Sequence, residues 1–263
     1  MITDNHMHLD KKGLYMEAVK QFKKAGGGRI ILVQKPSFPK DLEGFISSFR
    51  ETIAMCEDAQ EFVECYPVIG VHPAEFDRLF NQGKKDLCYK VLDVIETYVE
   101  EKKVVAMGEF GRPHYPVSEK TVTEAHNYMV EALKRARDLG CPIQLHTESL
   151  NPSRIAELDA LICTLGCQKV VKHFSPPNLS GYHQMIPSVL ATESNIEKAV
   201  TFKKSFLMET DYIDDPKRPG AVLGPKTVPK TTRKLMEKGV LTEELVARIH
   251  GDDIENLYSI PHP

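Results

Sequence analysis

Nowhere in this chain do apolar residues run on for the roughly 18 positions that a membrane-crossing helix needs, so no membrane span is expected. The opening MITDNHMHLD has neither a basic start nor an apolar stretch, and no signal peptide is expected there. The six cysteines (Cys56, Cys65, Cys88, Cys141, Cys163 and Cys167) include no CxxC pair. Most stand in apolar runs, where a buried thiol behaves as a small hydrophobe. Cys163 and Cys167, four apart, are expected to pack on one helix face, since a lone CxxxC carries little weight as a metal motif. A reducing cytoplasm is the expected setting. Basic charge is not in excess either: 34 Lys and Arg against 37 Asp and Glu leave a net charge of −3. No global field draws nucleic acid, although a local basic cleft stays open, because steering depends on where charge sits. Low-complexity linkers, close repeats and hairpin signals are missing as well.

What remains is a chain with 41% hydrophobic and 27% charged residues, an ordinary globular balance. Its 263 residues suit one α/β barrel, which commonly takes about 250, and can bury a core without disulfides. A single domain over 1–263 is therefore expected. Short apolar runs alternate with longer amphipathic ones from end to end. The runs at 2–5, 29–34, 64–71, 104–109, 142–146, 169–173, 188–191 and 206–211 predict eight strands. Between them, 13–25, 41–55, 84–102, 118–140, 152–165 and 194–204 carry helical spacing. A short helix is expected near 179–185, and the C-terminal third reads as helical. Gly251 is expected to cap a helix after His250, with Asp252 opening the last one. Strands joined by helical crossovers mean a parallel sheet. The count of eight favours closure into a (β/α)8 TIM barrel with C-terminal helices over an open doubly wound sheet.

Ionisable residues stand directly after almost every apolar run. His6 and His8 end the first, His72 the third, Glu109 the fourth, His146 the fifth, His173 the sixth and Asp211 the eighth. In a closed barrel the C-terminal strand ends converge on one mouth, so residues 200 positions apart would meet. His6 and His8, at i and i+2 of a strand, point to one face. One strand-end histidine alone is usually a hydrogen-bonded polar residue, and Glu109 or Asp211 alone could cap the following helix. The coincidence is what counts: five of the ten histidines share this placement with two carboxylates. So many ionisable groups at one barrel mouth are costly unless they pair with a metal or with each other. A metal cluster is expected.

The successive motifs NHMHLD, GVHPAE, GEFG, QLHTE, KHF and ETDYID resemble, in order, the strand-end motifs of the TatD-type metal-dependent hydrolases of the amidohydrolase superfamily. The resemblance spans residues 4 to about 258. It implies one divalent ion held by His6, His8, Glu109 and Asp211, a second held by Glu109, His146 and His173, and Glu109 as the bridge. A two-metal site of this kind generates a hydroxide and clamps the attacking and leaving oxygens. Asp211 would also take the proton of the attacking water. The imidazole-rich set suits Zn²⁺, Mn²⁺ or Fe²⁺, and the resemblance adds Mg²⁺. Nuclease action on nucleic-acid ends, or deacylation of an aminoacyl-tRNA, is what the resemblance implies.

The sequence departs from that family at Arg112 to Tyr115 and at Tyr212 to Asp215, where substrate would touch. His72 is expected to face substrate rather than ligate. Arg112, His114, Lys35 and Arg218 are the candidates for gripping a phosphate or carboxylate, Arg through its bidentate fork. The Pro-, Gly- and charge-rich stretch 214–226 predicts a loop over the mouth. Because the same site polarises a carbonyl, an amidohydrolase or lactonase acting on a small molecule is the alternative. A non-catalytic binding barrel is a third reading, but it predicts lost ligands and all six positions are filled. Nothing marks an obligate protein partner; the expected partner is a small-molecule or nucleic-acid-end substrate.

Overall fold

The computed structural model describes residues 1–218 and 222–261. Of the loop expected over 214–226, residues 219–221 lie outside the described residues. So do the last two residues of the domain expected over 1–263. Strand and helix alternate: β1 (Thr3–His8), α1 (Met16–Lys24), β2 (Arg29–Val33), α2 (Leu42–Ala59), β3 (Glu64–Ile69), α3 (Pro73–Asn81), α4 (Lys85–Glu100), β4 (Ala106–Gly111), α5 (Glu119–Asp138) and β5 (Ile143–His146). There follow α6 (Pro152–Leu165), β6 (Val170–Ser175), β7 (Met185–Leu190), α7 (Glu193–Val200), β8 (Leu207–Glu209) and β9 (Tyr212–Ile213). The chain ends in α8 (Thr227–Glu237), α9 (Glu243–Ala247), a π-helical turn (Arg248–Asp252) and α10 (Asp253–Tyr258).

Every strand pairing is parallel, in the order β8-β7-β6-β5-β4-β3-β2-β1-β9. Since β9 continues the chain from β8, the two ends of the sheet meet and the barrel closes. The eighth strand is thus one strand broken at Thr210 and Asp211. The buried Asp4 carboxylate spans the break, accepting from the Thr210 N–H (3.0 Å) and hydroxyl (2.6 Å). Alternation along the strands sorts the core. Ile31, Val33, Val68, Ala106, Val171 and Leu207 face the barrel interior, joined by Ile254, Leu257 and Tyr258 of α10. The residues between them pack beneath the helices, Ile69, Met107, Val170 and Met208 in the larger cluster and Ile30 and Leu32 in a second one against α1. Arg29, at the start of β2, pairs with Glu255 (2.8 Å) and Thr3 bonds the His250 carbonyl (2.6 Å). These contacts place α10 under the N-terminal ends of the strands, opposite the mouth.

Three expectations are corrected. No helix forms at 179–185: the buried Asp159 carboxylate gathers the N–H groups of His183, Gln184 and Met185 at 2.9–3.0 Å and starts β7 there. A helix not expected from the sequence, α3, follows His72 with Pro73 at its first position. Gly251 is no cap, because the π-helical turn carries the backbone through it and Asp252 makes no side-chain capping bond. No helix among the described residues is long and apolar enough to cross a membrane.

Candidate metal centre

His6 and His8 are both buried on β1. The Nδ1 atoms are engaged on the far side of each ring: His6 Nδ1 meets Gln144 Oε1 at 2.7 Å, and His8 Nδ1 meets the Val33 carbonyl at 2.9 Å. Gln144 directs its amide nitrogen to the Asn5 carbonyl (3.3 Å) and the Tyr258 hydroxyl (2.7 Å), so its oxygen faces His6. Both imidazoles therefore carry a proton on Nδ1, and each Nε2 faces inward, free to ligate a metal that displaces any proton held there. Those two nitrogens lie 3.1 Å apart. Glu109 Oε2 stands 3.6 and 3.7 Å from them, and Asp211 Oδ1 3.8 and 3.5 Å. Four ligand-type atoms thus converge, two of them on carboxylates, an arrangement that repels itself unless a proton or a metal cation enters. Ligand bonds of about 2.0–2.1 Å in a tetrahedron give edges of about 3.3–3.4 Å, close to this spacing. Burial opposes charge on His6, yet the Glu109 carboxylate outweighs it and lifts the ring to about 10, a measure of how strongly the cluster draws positive charge.

Glu109 turns its other oxygen to a second pair. Oε1 lies 2.8 Å from His146 Nδ1 and 3.4 Å from His173 Nε2. His173 Nδ1 is held by Glu209 Oε1 at 3.0 Å, and His146 Nε2 meets His114 Nδ1 at 2.7 Å. A carboxylate or other acceptor behind a histidine fixes its tautomer and raises its basicity toward a metal. Burial alone would raise Glu109, but His6, His173 and His146 around it hold its carboxyl well below the usual range. Gly111 makes this closeness possible: a β carbon there would sit 1.7 Å from the His146 carbonyl oxygen.

His72 lies with Glu109 and His146. Its Nδ1 accepts the Ala74 N–H at the start of α3 (3.1 Å). Burial pushes its pKa down to about 3, so the ring stays neutral with its proton on Nε2. It offers the site a donor rather than a lone pair.

A cleft of about 510 Å³ opens over these groups, its wall including Lys35, His114 and Arg218. Lys35 Nζ is shared between Asp10 Oδ2 (2.8 Å) and the Asp214 carbonyl (2.9 Å); Arg218 reaches Asp215 (3.1 Å). Arg218 and Val222, on either side of residues 219–221, both border the cleft. Arg112 does not. It forks onto Glu148 at 2.9 Å, meets His126 at 3.3 Å, and lines a separate hollow beside α5 and α6. The physical reason is alternation: Glu109 faces inward on β4, so Phe110 and Arg112 face the helices. Asp214 is structural, its carboxylate collecting Asp10 N, Leu14 N, Tyr15 N and the Tyr212 hydroxyl. Gln144 and Glu209 were not among the residues expected from the sequence. Each lies two positions before a candidate ligand on the same strand, and that spacing was the available signal.

A parallel (β/α)8 barrel whose mouth gathers four histidines and two carboxylates is the architecture of the amidohydrolase-type hydrolases. The chain belongs to the TatD-related DNase family, whose profile matches residues 3–259, and is a hydrolase of that family. An uncharacterised protein of Methanocaldococcus jannaschii is 38% identical over 270 residues, 98% of this chain and 96% of that protein. The fold is shared with the crystal structure of YjjV, a TatD homologue from Escherichia coli (TM-score 0.71, 18% identity, 99% of this chain and 98% of that one). It is also shared with the phosphotriesterase homology protein of Escherichia coli, solved with phosphate in its active site (TM-score 0.64, 12% identity, 98% of each).

Proposed function

We propose that this protein hydrolyses phosphodiester or related ester bonds with the help of two divalent ions. The observation that carries this reading is the division of labour at Glu109, whose two oxygens face two separate sets of histidines. His6, His8, Glu109 and Asp211 would hold one ion; Glu109, His146 and His173 the other. Zn²⁺, Mn²⁺ and Fe²⁺ suit the imidazoles, with Mg²⁺ left for assay. When bound, such ions supply charge that polarises the scissile group and makes water a better nucleophile at neutral pH. The chain's own groups do the rest. Asp211, buried but bordering the cleft on a left-handed backbone (φ 48°), accepts the proton of the attacking water. His72 donates to the oxygen on which charge develops. Lys35 and Arg218 attract the anionic substrate, and His114 steadies His146. Five buried thiols and no disulfide fit a cytoplasmic setting. Substrates in reach are a nucleic-acid end or a small ester; phosphate in the active site of the Escherichia coli phosphotriesterase homology protein supports the phosphoryl reading.

The test pairs elemental analysis with a substrate panel. Two metals per chain are expected, with turnover of bis(p-nitrophenyl) phosphate that falls about 10²–10⁴-fold in Asp211→Asn while circular dichroism stays unchanged. Turnover confined to small amides or lactones would move the assignment to the amidohydrolase alternative. Equal turnover by metal-stripped protein would refute both.

A further inference from the structure

Nine of the eleven phenylalanines are buried or partly buried; Phe38 and Phe174 are exposed, at 42% and 43%. Both line the cleft over the histidine cluster. Both also hold left-handed backbone, φ 56° and 50°, a conformation that bulky side chains rarely adopt. Each is fixed there by a buried carboxylate that also holds a histidine of the site. Glu209 Oε1 accepts the Phe174 N–H at 2.7 Å and His173 Nδ1 at 3.0 Å. Glu75 accepts the N–H groups of Ser37 and Phe38 at 2.9 Å through one oxygen and that of His72 at 3.2 Å through the other. Arg78 locks the second loop further, donating to the Phe38 carbonyl (2.7 Å) and lying 5.8 Å from the ring centroid. The Phe174 ring sits 5.8 Å from the His173 ring, nearly perpendicular to it.

An exposed ring on an unfavourable backbone, tied by one carboxylate to a site histidine, occurs here twice around one cleft. Loose surface phenylalanines need no such anchoring. We propose that Phe38 and Phe174 form a stacking subsite for a flat aromatic ring carried by the substrate next to its anionic group. Flat rings stack on exposed aromatic faces whatever their edge pattern, so the subsite selects for planarity rather than for one particular ring. Lys35 and Arg218, on the same cleft wall, would take the accompanying charge. The inference rests on the cleft being the substrate site, and not on which bond is broken there.

Because the chain has no tryptophan, a fluorescent base can be read without interference. Titrating the metal-loaded protein with 2-aminopurine deoxyriboside 5′-monophosphate should give saturable quenching. Phe174→Leu and Phe38→Leu should each weaken binding about tenfold, the order expected for one base–ring stack, while Phe174→Trp, compared by competition, keeps or tightens it. Deoxyribose 5-phosphate, which has no flat aromatic ring, should compete weakly and equally against wild type and both leucine variants. Wild-type affinity in a folded Phe38→Leu/Phe174→Leu double variant would overturn the subsite, as would competition by the base-free sugar phosphate as strong as that by the nucleotide. Should the leucine variants fail to fold, the tryptophan variant and the base-free competitor still decide the matter. Turnover of dimethyl phosphate, scored separately, tests bond cleavage without a ring. Cleavage without ring binding sinks the subsite alone, and ring binding without cleavage of any ester sinks the proposed reaction alone.

Discussion

Acid should unfold this barrel from its closed end, through His250. The ring is wholly buried in the π-helical turn: Nδ1 accepts the Thr3 N–H at 3.2 Å, and Nε2 donates to the Thr232 hydroxyl at 3.0 Å, whose own proton goes to the Val228 carbonyl. Burial holds the imidazole neutral and pushes its pKa down to about 4, from about 6.5 in the unfolded chain. With a depressed histidine, the unfolded chain takes up a proton first as pH falls. Stability is therefore complete above about pH 6.5 and is lost on acidification through pH 4. At ~1.36 kcal/mol per pH unit of separation the full loss is ~3 kcal/mol, and ~2 kcal/mol is gone at pH 5. The assay is urea unfolding at pH 7.5 and 5.0 in the presence of a chelator, so that metal release does not enter. In His250→Asn the amide oxygen stands where Nδ1 stood and cannot titrate. The variant should be weaker by ~1–3 kcal/mol at pH 7.5, having lost its bond to Thr232. Between the two pH values, however, wild type should lose ~2 kcal/mol more than the variant. Parallel losses in the two proteins would refute the reasoning.

Two further outcomes follow from the way the site is held. Gln144→Leu removes the acceptor that keeps the His6 proton on Nδ1, while Tyr258 can still bond Asn5 Oδ1. Metal affinity, read by competition with a chromophoric chelator, should fall about 10–100-fold; unchanged affinity would mean that the tautomer is fixed by something else. Gly111→Ala puts a β carbon 1.7 Å from the His146 carbonyl oxygen, so β4 and β5 must part. Thermal unfolding should report a loss of ~3 kcal/mol or more, and an alanine variant melting like wild type would show that the strands give way freely.

The periodic parts of the fold were open to inspection in the chain. RIILV at Arg29–Val33 reads as a buried strand, and the apolar spacing of α5 reads as a helix, because both patterns reflect burial on neighbouring faces. The order of ionisable residues after the apolar runs also pointed to one mouth, since a closed parallel barrel leaves those ends nowhere else to go. Less of the detail could be read. The entry to β7 depends on Asp159, some 25 residues earlier, and the helix after His72 on a cap made by a histidine ring. Neither leaves a periodic trace. Arg112 shows the limit most plainly, because its residue type suited a substrate clamp while its place on β4 sent it to Glu148 instead.

By itself, then, the sequence determined the barrel and the family, and it named the residues able to bind metal, because alternation and residue type are properties of the chain. Which atom of each histidine faces inward was decided only by tertiary structure. Val33, Gln144 and Glu209 set those tautomers from other strands, as Ala74 sets that of His72 from the head of α3. The same holds for the two exposed phenylalanines. A ring's exposure and backbone depend on what its neighbours bond, and here those neighbours, Glu75 and Glu209, lie more than 30 residues further along the chain.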